Sequence, residues 1–177
     1  MNRYLLLEKI GEGSFSNVYK TKNITDYKNY SSKNIKLKKD DYKNILIEVH
    51  ILAKNNSKYL LSLKDLEIDT KTKILSIITT YYKYGDLRNE ITYRSQHKSF
   101  FDENNVIKFF YQISNGIKYL HSNNIIHRDI KTSNILITNK HNLILSDFNT
   151  CKILPKDDFL NKNRHTQIGT LFYMSPE

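Results

Sequence analysis

The period of the hydrophobic pattern changes near the middle of the 177-residue chain, and this change constrains the fold more than any other feature. In the first half, apolar and β-branched residues form short runs separated by turn residues, which predicts strands. Ile45, Val49 and Leu52 instead recur at helical spacing and predict one amphipathic helix over Tyr42–Ala53. A small antiparallel sheet with one main helix is therefore expected, its strands being Tyr4–Ile10, Asn17–Lys22, Asn29–Leu37, Leu60–Ile68 and Lys73–Tyr81.

Helical spacing dominates the second half, from Gly85 onward. Asp86 can cap a short helix that ends near Ile91, and Asp102 can cap a longer one. The longer helix has a wide apolar stripe and is expected to meet apolar partners on more than one side; its members are Val106, Ile107, Phe109, Phe110, Tyr111, Ile113, Ile117 and Leu120. Short strands are predicted at Ile125–Ile126, Ile135–Ile137 and Leu143–Leu145, and the boundary divides the chain into residues 1–82 and 83–177.

Composition and charge exclude several classes of protein. Lys and Arg outnumber Asp and Glu by 28 to 18, a net charge of +10, but no run of five basic residues occurs. A nucleic-acid-binding protein is therefore only a minor alternative. The single Cys151 excludes a disulfide framework and a cysteine-based zinc site. No segment is long and apolar enough for a membrane span or a secretory signal, so we expect an intracellular protein, cytoplasmic or nuclear, with no membrane partner.

A glycine-rich segment joins the first two predicted strands. It reads Gly11-Glu12-Gly13-Ser14-Phe15-Ser16-Asn17-Val18. Glycine allows backbone N–H groups to approach phosphate oxygens that a Cβ would obstruct. Two glycines in a hairpin also form ordinary turns, so this segment alone does not establish phosphate binding.

A second segment concentrates charged and amide side chains among short apolar strands. It comprises His127-Arg128-Asp129-Ile130-Lys131-Thr132-Ser133-Asn134 and, further on, Asp147-Phe148-Asn149. Asp129 could accept a proton from an attacking hydroxyl, and Lys131 could neutralise a transferring phosphoryl group. Asn134 and Asp147 could supply the hard oxygen ligands that Mg²⁺ prefers. Any one of these could be a solvated turn residue, but the ordered set indicates phosphoryl chemistry.

The order of these motifs resembles that of eukaryotic-type protein kinases, most closely the NIMA-related (Nek-type) kinases. The ending, Gly169-Thr170-Leu171-Phe172-Tyr173-Met174-Ser175-Pro176-Glu177, resembles the segment that closes a kinase activation loop. Lys131 together with Thr170 resembles the serine/threonine branch. The resemblance implies an α+β, protein-kinase-like fold: a five-stranded antiparallel N-lobe sheet with one main helix, followed by the first part of a mostly helical C-lobe. Since kinases continue with further helices, we expect an incomplete kinase domain over residues 1–177.

The resemblance assigns roles in catalysis and in metal binding. Asp129 would be the catalytic base, with Lys131 beside it, and Asn134 and Asp147 would bind Mg²⁺. Lys33, paired with Glu48, would hold the ATP phosphates. Lys36 is the alternative lysine, because the family usually has alanine where Ser31 stands.

The resemblance also implies an ATP-binding set. Thr79 would be the gatekeeper, the backbone of Thr80 to Tyr82 would read adenine, and Asp86 would reach the ribose. The remaining expected cofactor-binding residues are Ile10, Gly11, Glu12, Gly13, Ser14, Phe15, Ser16, Val18 and Leu136.

Regulation is expected in the activation loop. Thr166 stands where many kinases are phosphorylated, and Arg128 and Lys152 resemble the basic pocket that receives the phosphate. An activating kinase or a regulatory partner would then act on this loop. Asn149 replaces the usual glycine of the metal-binding triplet; asparagine tolerates positive φ, so we expect a stiffer loop that still functions.

The expected function is ATP-dependent phosphoryl transfer to Ser or Thr hydroxyls of proteins, with ATP and Mg²⁺ as cofactors. A kinase-like fragment that binds nucleotide or a partner without catalysis is the main alternative. A basic nucleic-acid-binding protein is the second.

Overall fold

The computed structural model describes residues 3–13, 16–38, 42–155, 170 and 173. The chain forms two compact units. The first consists of Met1–Asn55 and Leu61–Tyr81, and the second of Asn56–Leu60 and Tyr82–Glu177. The short segment Asn56–Leu60 therefore belongs to the second unit, although in sequence it stands between the two parts of the first.

The first unit contains a five-stranded antiparallel sheet, as the sequence predicted. Its strands are β1 (Tyr4–Gly13), β2 (Ser16–Asn23), β3 (Asn29–Lys36), β4 (Leu63–Asp69) and β5 (Ile74–Thr80), in the order β1-β2-β3-β5-β4. The interior strand β5 buries neighbouring residues on both faces, which explains its almost continuous apolar run. Gly11 and Gly13 lie within β1, opposite Val18 and Ser16, and not in the turn that the sequence suggested.

The sheet curls so that the start of β1 meets β4, its opposite edge strand. Arg3 places its backbone N 3.0 Å from Glu67 Oε1 and its Nη2 2.8 Å from Asp65 Oδ2. The hydroxyl of Tyr4 donates to the same Asp65 oxygen at 3.1 Å. Hydrogen bonds and ion pairs to the carboxylates of β4 thus link the two edges, and no ladder joins them within the described residues.

Helix α1, Tyr42–Lys54, is the one helix of the described part of this unit. Its buried face consists of Ile45, Glu48, Ile51 and Leu52. Glu48 is therefore a carboxylate in an otherwise apolar row, and its partner is described below.

The described part of the second unit contains helices α2 (Leu87–Gln96) and α3 (Glu103–Ser122) and four short strands. Asp86 and Asp102 cap the helices, each accepting a backbone N–H three residues on at 2.8 Å, as predicted. Helix α2 runs five residues past its predicted end at Ile91. The strands β6 (Ile125–Ile126), β7 (Ile135–Ile137), β8 (Leu143–Leu145) and β9 (Lys152–Ile153) form two ribbons, β6–β9 and β7–β8.

Helix α3 packs on β8, and Gly116 and Gln112 are two of its residues that contact this strand. A methyl group at Gly116 would lie 3.0 Å from Leu145 Cδ1 and 3.3 Å from the carbonyl oxygen of Tyr59. Phe110 is 70% exposed and Tyr111 62% exposed. Leu120 is therefore buried together with Gln112 and Gly116, whereas the Phe110 and Tyr111 side of the stripe is exposed within the described residues. No helix in this part of the chain is both long and apolar enough to cross a membrane.

Candidate active site

The first unit positions a lysine–glutamate pair. Lys33 in β3 places its Nζ 2.7 Å from Oε1 and 2.9 Å from Oε2 of Glu48 in α1. Glu48 is only 3% exposed, so its charge depends on close cationic and hydrogen-bonding partners. Lys36 is exposed, and because side chains alternate along a strand it points to the other face from Lys33. The structure therefore pairs Glu48 with Lys33.

The glycine-rich segment forms the end of the β1–β2 ribbon. Gly11 lies opposite Val18, and Gly13 opposite Ser16. Lys9 Nζ lies 2.7 Å from Glu12 Oε2. The side chain of Ile10 is 44% exposed. Two of the expected phosphate-binding residues, Ser14 and Phe15, lie outside the described residues.

The second unit gathers three polar side chains around Asp129. Lys131 Nζ lies 2.7 Å from Asp129 Oδ2, and the hydroxyl of Thr170 donates to Oδ1 at 2.7 Å. Lys131 also donates to Thr170 Oγ1 at 2.9 Å, which closes a ring of three groups. Asn134 Nδ2 donates to both the carboxylate and the backbone oxygen of Asp129, at 3.0 and 2.9 Å. The carboxylate is thus held in one orientation from three sides.

These contacts set the protonation state of Asp129. Burial alone would raise the pKa of this carboxyl group. Hydrogen bonds from Lys131 and Thr170, the charge of Lys131 and the amide of Asn134 together outweigh burial and hold the pKa of Asp129 below its ordinary value. The group is therefore an ionised acceptor near neutral pH.

The β7–β8 hairpin brings Asn134 close to Asp147. Asn134 directly precedes β7, and Ser146 directly follows β8, so both stand at one end of the ribbon. The backbone N–H and the hydroxyl of Ser146 both donate to the carbonyl oxygen of Asn134 at 2.9 Å. Asp147, the next residue, is half-buried at this end. The hairpin therefore explains how residues thirteen positions apart in sequence come together.

The donor set at this point fits Mg²⁺. Asn134 uses its Nδ2 for Asp129, and its Oδ1 accepts no hydrogen bond within the described residues. An amide oxygen and a carboxylate are hard ligands of the kind that Mg²⁺ binds while it keeps several waters. No cluster of three or more His, Cys, Asp or Glu side chains occurs in the described part of the chain, so a closed, all-protein metal site is not found there.

His127 supports this arrangement and was not among the predicted site residues. Its Nε2 lies 3.1 Å from the carbonyl oxygen of Ser146, and its Nδ1 accepts the N–H of Asp129 at 3.3 Å. These contacts require the neutral ring with hydrogen on Nε2. Burial lowers the pKa of His127, although the Ser146 carbonyl and the nearby carboxylates oppose this. Its ring also packs edge-on against Phe148, with centroids 5.6 Å apart.

Two site residues adopt the left-handed backbone region that favours glycine. Asp147 has φ 60° and Arg128 has φ 67°. Asn149 is not among the residues with positive φ, so the expectation that its tolerance of positive φ would matter is wrong for this structure. The left-handed conformation occurs at Asp147 instead, and it costs a residue with a Cβ about 1–2 kcal/mol. The site backbone is strained two residues earlier than the sequence indicated.

The predicted adenine and ribose residues are divided between the two units. Thr79 is buried in β5, and Thr80 pairs with Tyr30 in β3. In the second unit, Asp86 forms an isolated bridge with Leu136. Both carboxylate oxygens of Asp86 accept hydrogen bonds from the following helix turn, at 2.8 and 3.0 Å. The backbone carbonyl oxygen of Tyr82 accepts the N–H of Gly85 at 3.1 Å, which closes a tight turn.

The predicted regulatory residues stand near the same loop. Arg128 Nε donates to the carbonyl oxygen of Thr150 at 2.7 Å. Lys152 lies in β9 opposite Ile126, two residues before Arg128. Thr166 lies outside the described residues.

Comparison with known proteins gives one consistent result. The protein kinase domain family matches residues 4–177. The chain is 33% identical over its whole length to serine/threonine-protein kinase Nek6 of Oryza sativa subsp. japonica, and covers 32% of that protein. It is 33% identical to serine/threonine-protein kinase Nek1 of Mus musculus, covering 14%, and 35% identical over 99% of its length to MAP3K epsilon protein kinase 2 of Arabidopsis thaliana, covering 13%. The chain thus spans a third or less of each relative. Together with the ring of side chains around Asp129, this match places the chain in the protein kinase family.

Proposed function

We propose that the protein transfers the γ-phosphoryl group of ATP to serine or threonine hydroxyls of proteins. The observation that supports this best is the Asp129 carboxylate, ionised and fixed by Lys131, Thr170 and Asn134. An acceptor hydroxyl that approaches Asp129 would find a fixed proton acceptor beside a fixed cation. General-base positioning and charge neutralisation are the two contributions that phosphoryl transfer requires of a protein.

The groups around Asp129 have distinct tasks in this proposal. Asp129 accepts the proton of the acceptor hydroxyl, and its depressed pKa keeps it ionised before that step. Lys131, 2.7 Å away, would balance the charge on the transferring group. Asn134 and Asp147 would hold Mg²⁺, which when bound neutralises charge on the phosphate oxygens.

The first unit would supply phosphate contacts. Glu48 keeps the Lys33 ammonium in one place at 2.7 Å, so that Lys33 can donate to phosphate oxygens without first being ordered. Gly11, Gly13 and their neighbours in the β1–β2 ribbon would contribute backbone N–H groups.

Preference for Ser and Thr over Tyr is inferred from Lys131 and Thr170. The two side chains are bonded at 2.9 Å beside the proposed base, and relatives that share about a third of the sequence are named serine/threonine-protein kinases. We further propose an intracellular site of action, cytoplasmic or nuclear, and phosphorylation of Thr166 by an activating kinase, with Arg128 and Lys152 as phosphate ligands.

Replacement of the base tests the proposal directly. Asp129→Asn is nearly isosteric, but it removes the proton acceptor and places an amide between Lys131 and Thr170. We expect kcat for transfer from ATP to a serine peptide to fall roughly 10²–10⁴-fold, while Mg-ATP binding persists.

Asp102→Asn is the matched control, because asparagine is also a good N-cap and Asp102 only caps α3. Its kcat should equal that of the wild type. A loss of less than tenfold in Asp129→Asn would contradict the assignment. Binding of Mg-ATP without transfer by the wild type would favour a nucleotide-binding protein instead.

A further inference from the structure

A pair of hydroxyl groups links the proposed catalytic loop to the segment around Tyr173. Thr132 follows Lys131 and begins the short 3₁₀ turn Thr132–Asn134. Its Oγ1 lies 3.3 Å from the phenolic oxygen of Tyr173. Tyr173 is 55% exposed, so one end of its ring is tied while much of its surface stays open to solvent. A tyrosine with an exposed ring and a bonded hydroxyl is a suitable contact for a second molecule.

The Thr132–Tyr173 pair is the second of two adjacent links. Lys131 already donates to the hydroxyl of Thr170 at 2.9 Å. The N–H of Tyr173 also donates to the carbonyl oxygen of Thr170 at 2.8 Å. Consecutive residues of the catalytic loop, Lys131 and Thr132, therefore bond to Thr170 and to Tyr173. With the Thr132 link removed, the Lys131 bond to Thr170 would remain as a side-chain link between them.

Thr170 connects Tyr173 with the proposed base. The hydroxyl of Thr170 donates to Asp129 at 2.7 Å, and its carbonyl oxygen accepts the N–H of Tyr173 at 2.8 Å. An acceptor hydroxyl bonded to Asp129 would therefore lie beside Thr170, to which Tyr173 is bonded. A ring free to rotate would have to be ordered when the acceptor binds, at a cost in side-chain entropy.

We propose that Thr132 is a positioning residue for acceptor binding: its hydroxyl fixes Tyr173, and the exposed ring of Tyr173 contacts the polypeptide that presents the acceptor hydroxyl. This inference rests on the proposed phosphoryl transfer. The contact is made equally in the ground state and the transition state, so its loss raises KM for the acceptor and leaves kcat unchanged.

The test compares Thr132→Val, which keeps the shape but removes the hydroxyl, with Tyr173→Phe, Thr132→Ser and the Thr132→Val/Tyr173→Phe double variant. KM for a serine peptide should rise about 2- to 10-fold in both single variants, the range expected for one hydrogen bond. Thr132→Ser should restore wild-type behaviour. KM of the double variant should not exceed the higher of the two single-variant KM values, because both changes remove the same bond. KM for ATP should not change.

Thr92→Val is the matched control, since it removes a threonine hydroxyl that bonds only within α2. The inference fails if the two single effects multiply in the double variant, if Thr132→Ser behaves like Thr132→Val, or if KM for ATP rises equally. Thermal unfolding of each variant identifies any that do not fold, and Thr132→Ser then decides the outcome.

A wild-type protein that transfers no phosphate would refute the proposed function but not yet this inference. The same cycle is then measured on the Kd of the fluorescently labelled serine peptide, which requires no turnover. Non-additive losses of affinity support the inference, and additive losses or no binding overturn it.

Discussion

The substitution Gly116→Ala tests how tightly α3 packs on β8. In an exposed helix this change stabilises by about 1 kcal/mol, because alanine is the better helix former. Here the new methyl carbon would lie 3.0 Å from Leu145 Cδ1, whereas carbon atoms prefer about 3.5–4.0 Å. The carbonyl oxygen of Tyr59, at 3.3 Å, closes the other side.

Neither neighbour of the added methyl can move easily. Leu145 is 1% exposed, and its backbone N–H donates to the same Tyr59 oxygen at 2.9 Å, so the two are fixed to each other. Overpacking of this kind typically costs about 1–3 kcal/mol. After the gain in helix propensity is subtracted, Gly116→Ala should lower the free energy of unfolding by about 0–2 kcal/mol.

Urea unfolding, followed by tyrosine fluorescence and by circular dichroism, measures this difference as a lower midpoint at unchanged m. Ser114→Ala, at an exposed position of the same helix, is the control, and it should raise the free energy of unfolding by at most ~0.5 kcal/mol. If Gly116→Ala stabilises by about 1 kcal/mol, the packing argument is refuted. Since β8 leads into Ser146 and Asp147, a destabilised variant should also bind Mg-ATP more weakly.

Two further predictions concern ionisable residues. The pKa of His127 is lower in the folded chain than in the unfolded chain, so just below pH 6.5 the unfolded chain binds more protons. The free energy of unfolding should therefore fall on acidification through this range, by up to about 1.4 kcal/mol per pH unit. His127→Gln should reduce that slope in urea titrations between pH 7.5 and 5, and an unchanged slope would contradict the burial argument. Lys33→Met should weaken Mg-ATP binding roughly tenfold to hundredfold, as expected for a charged hydrogen bond, whereas Lys36→Met should not. Equal losses measured by calorimetry would show that Glu48 does not select the functional lysine.

Local features of the fold were predictable because their causes are local. Asp86 and Asp102 each bond to an N–H three residues away, and no tertiary information is needed to expect that. The end of α2 was misjudged because its last turns have no apolar periodicity. They are supported instead by the Glu90–Arg94 pair at 2.6 Å and by the guanidinium of Arg94 over the ring of Phe101 at 4.2 Å.

The site was predictable in composition but not in geometry. The spacing from Asp129 to Asn134 and Asp147 identifies the residues, and the β7–β8 hairpin explains their proximity. The Lys33–Glu48 contact depends on the seating of α1 on the sheet, which the sequence pattern does not specify. Similarly, the Thr132–Tyr173 contact joins residues 41 positions apart and has no signal in the pattern of either segment.

Backbone strain was assigned to the wrong residue for a physical reason. Asn149 replaces a glycine of the family pattern, and glycine suggests positive φ at its own position. In the structure the positive φ belongs to Asp147, next to Ser146, whose N–H and hydroxyl bind the carbonyl oxygen of Asn134. These bonds can hold Asp147 in a conformation that its own side chain disfavours.

The curled sheet of the first unit bears on where a recombinant form of the domain can begin. The protein kinase match starts at Tyr4, so a protein cut at that boundary would omit Arg3. It would lose the contacts of Arg3 with Asp65 and Glu67 and retain only the Tyr4 hydroxyl at this corner. A shortened protein should therefore start upstream of Arg3, and a purification tag should be separated from it by a spacer, so that the corner where opposite edges of the sheet meet stays intact.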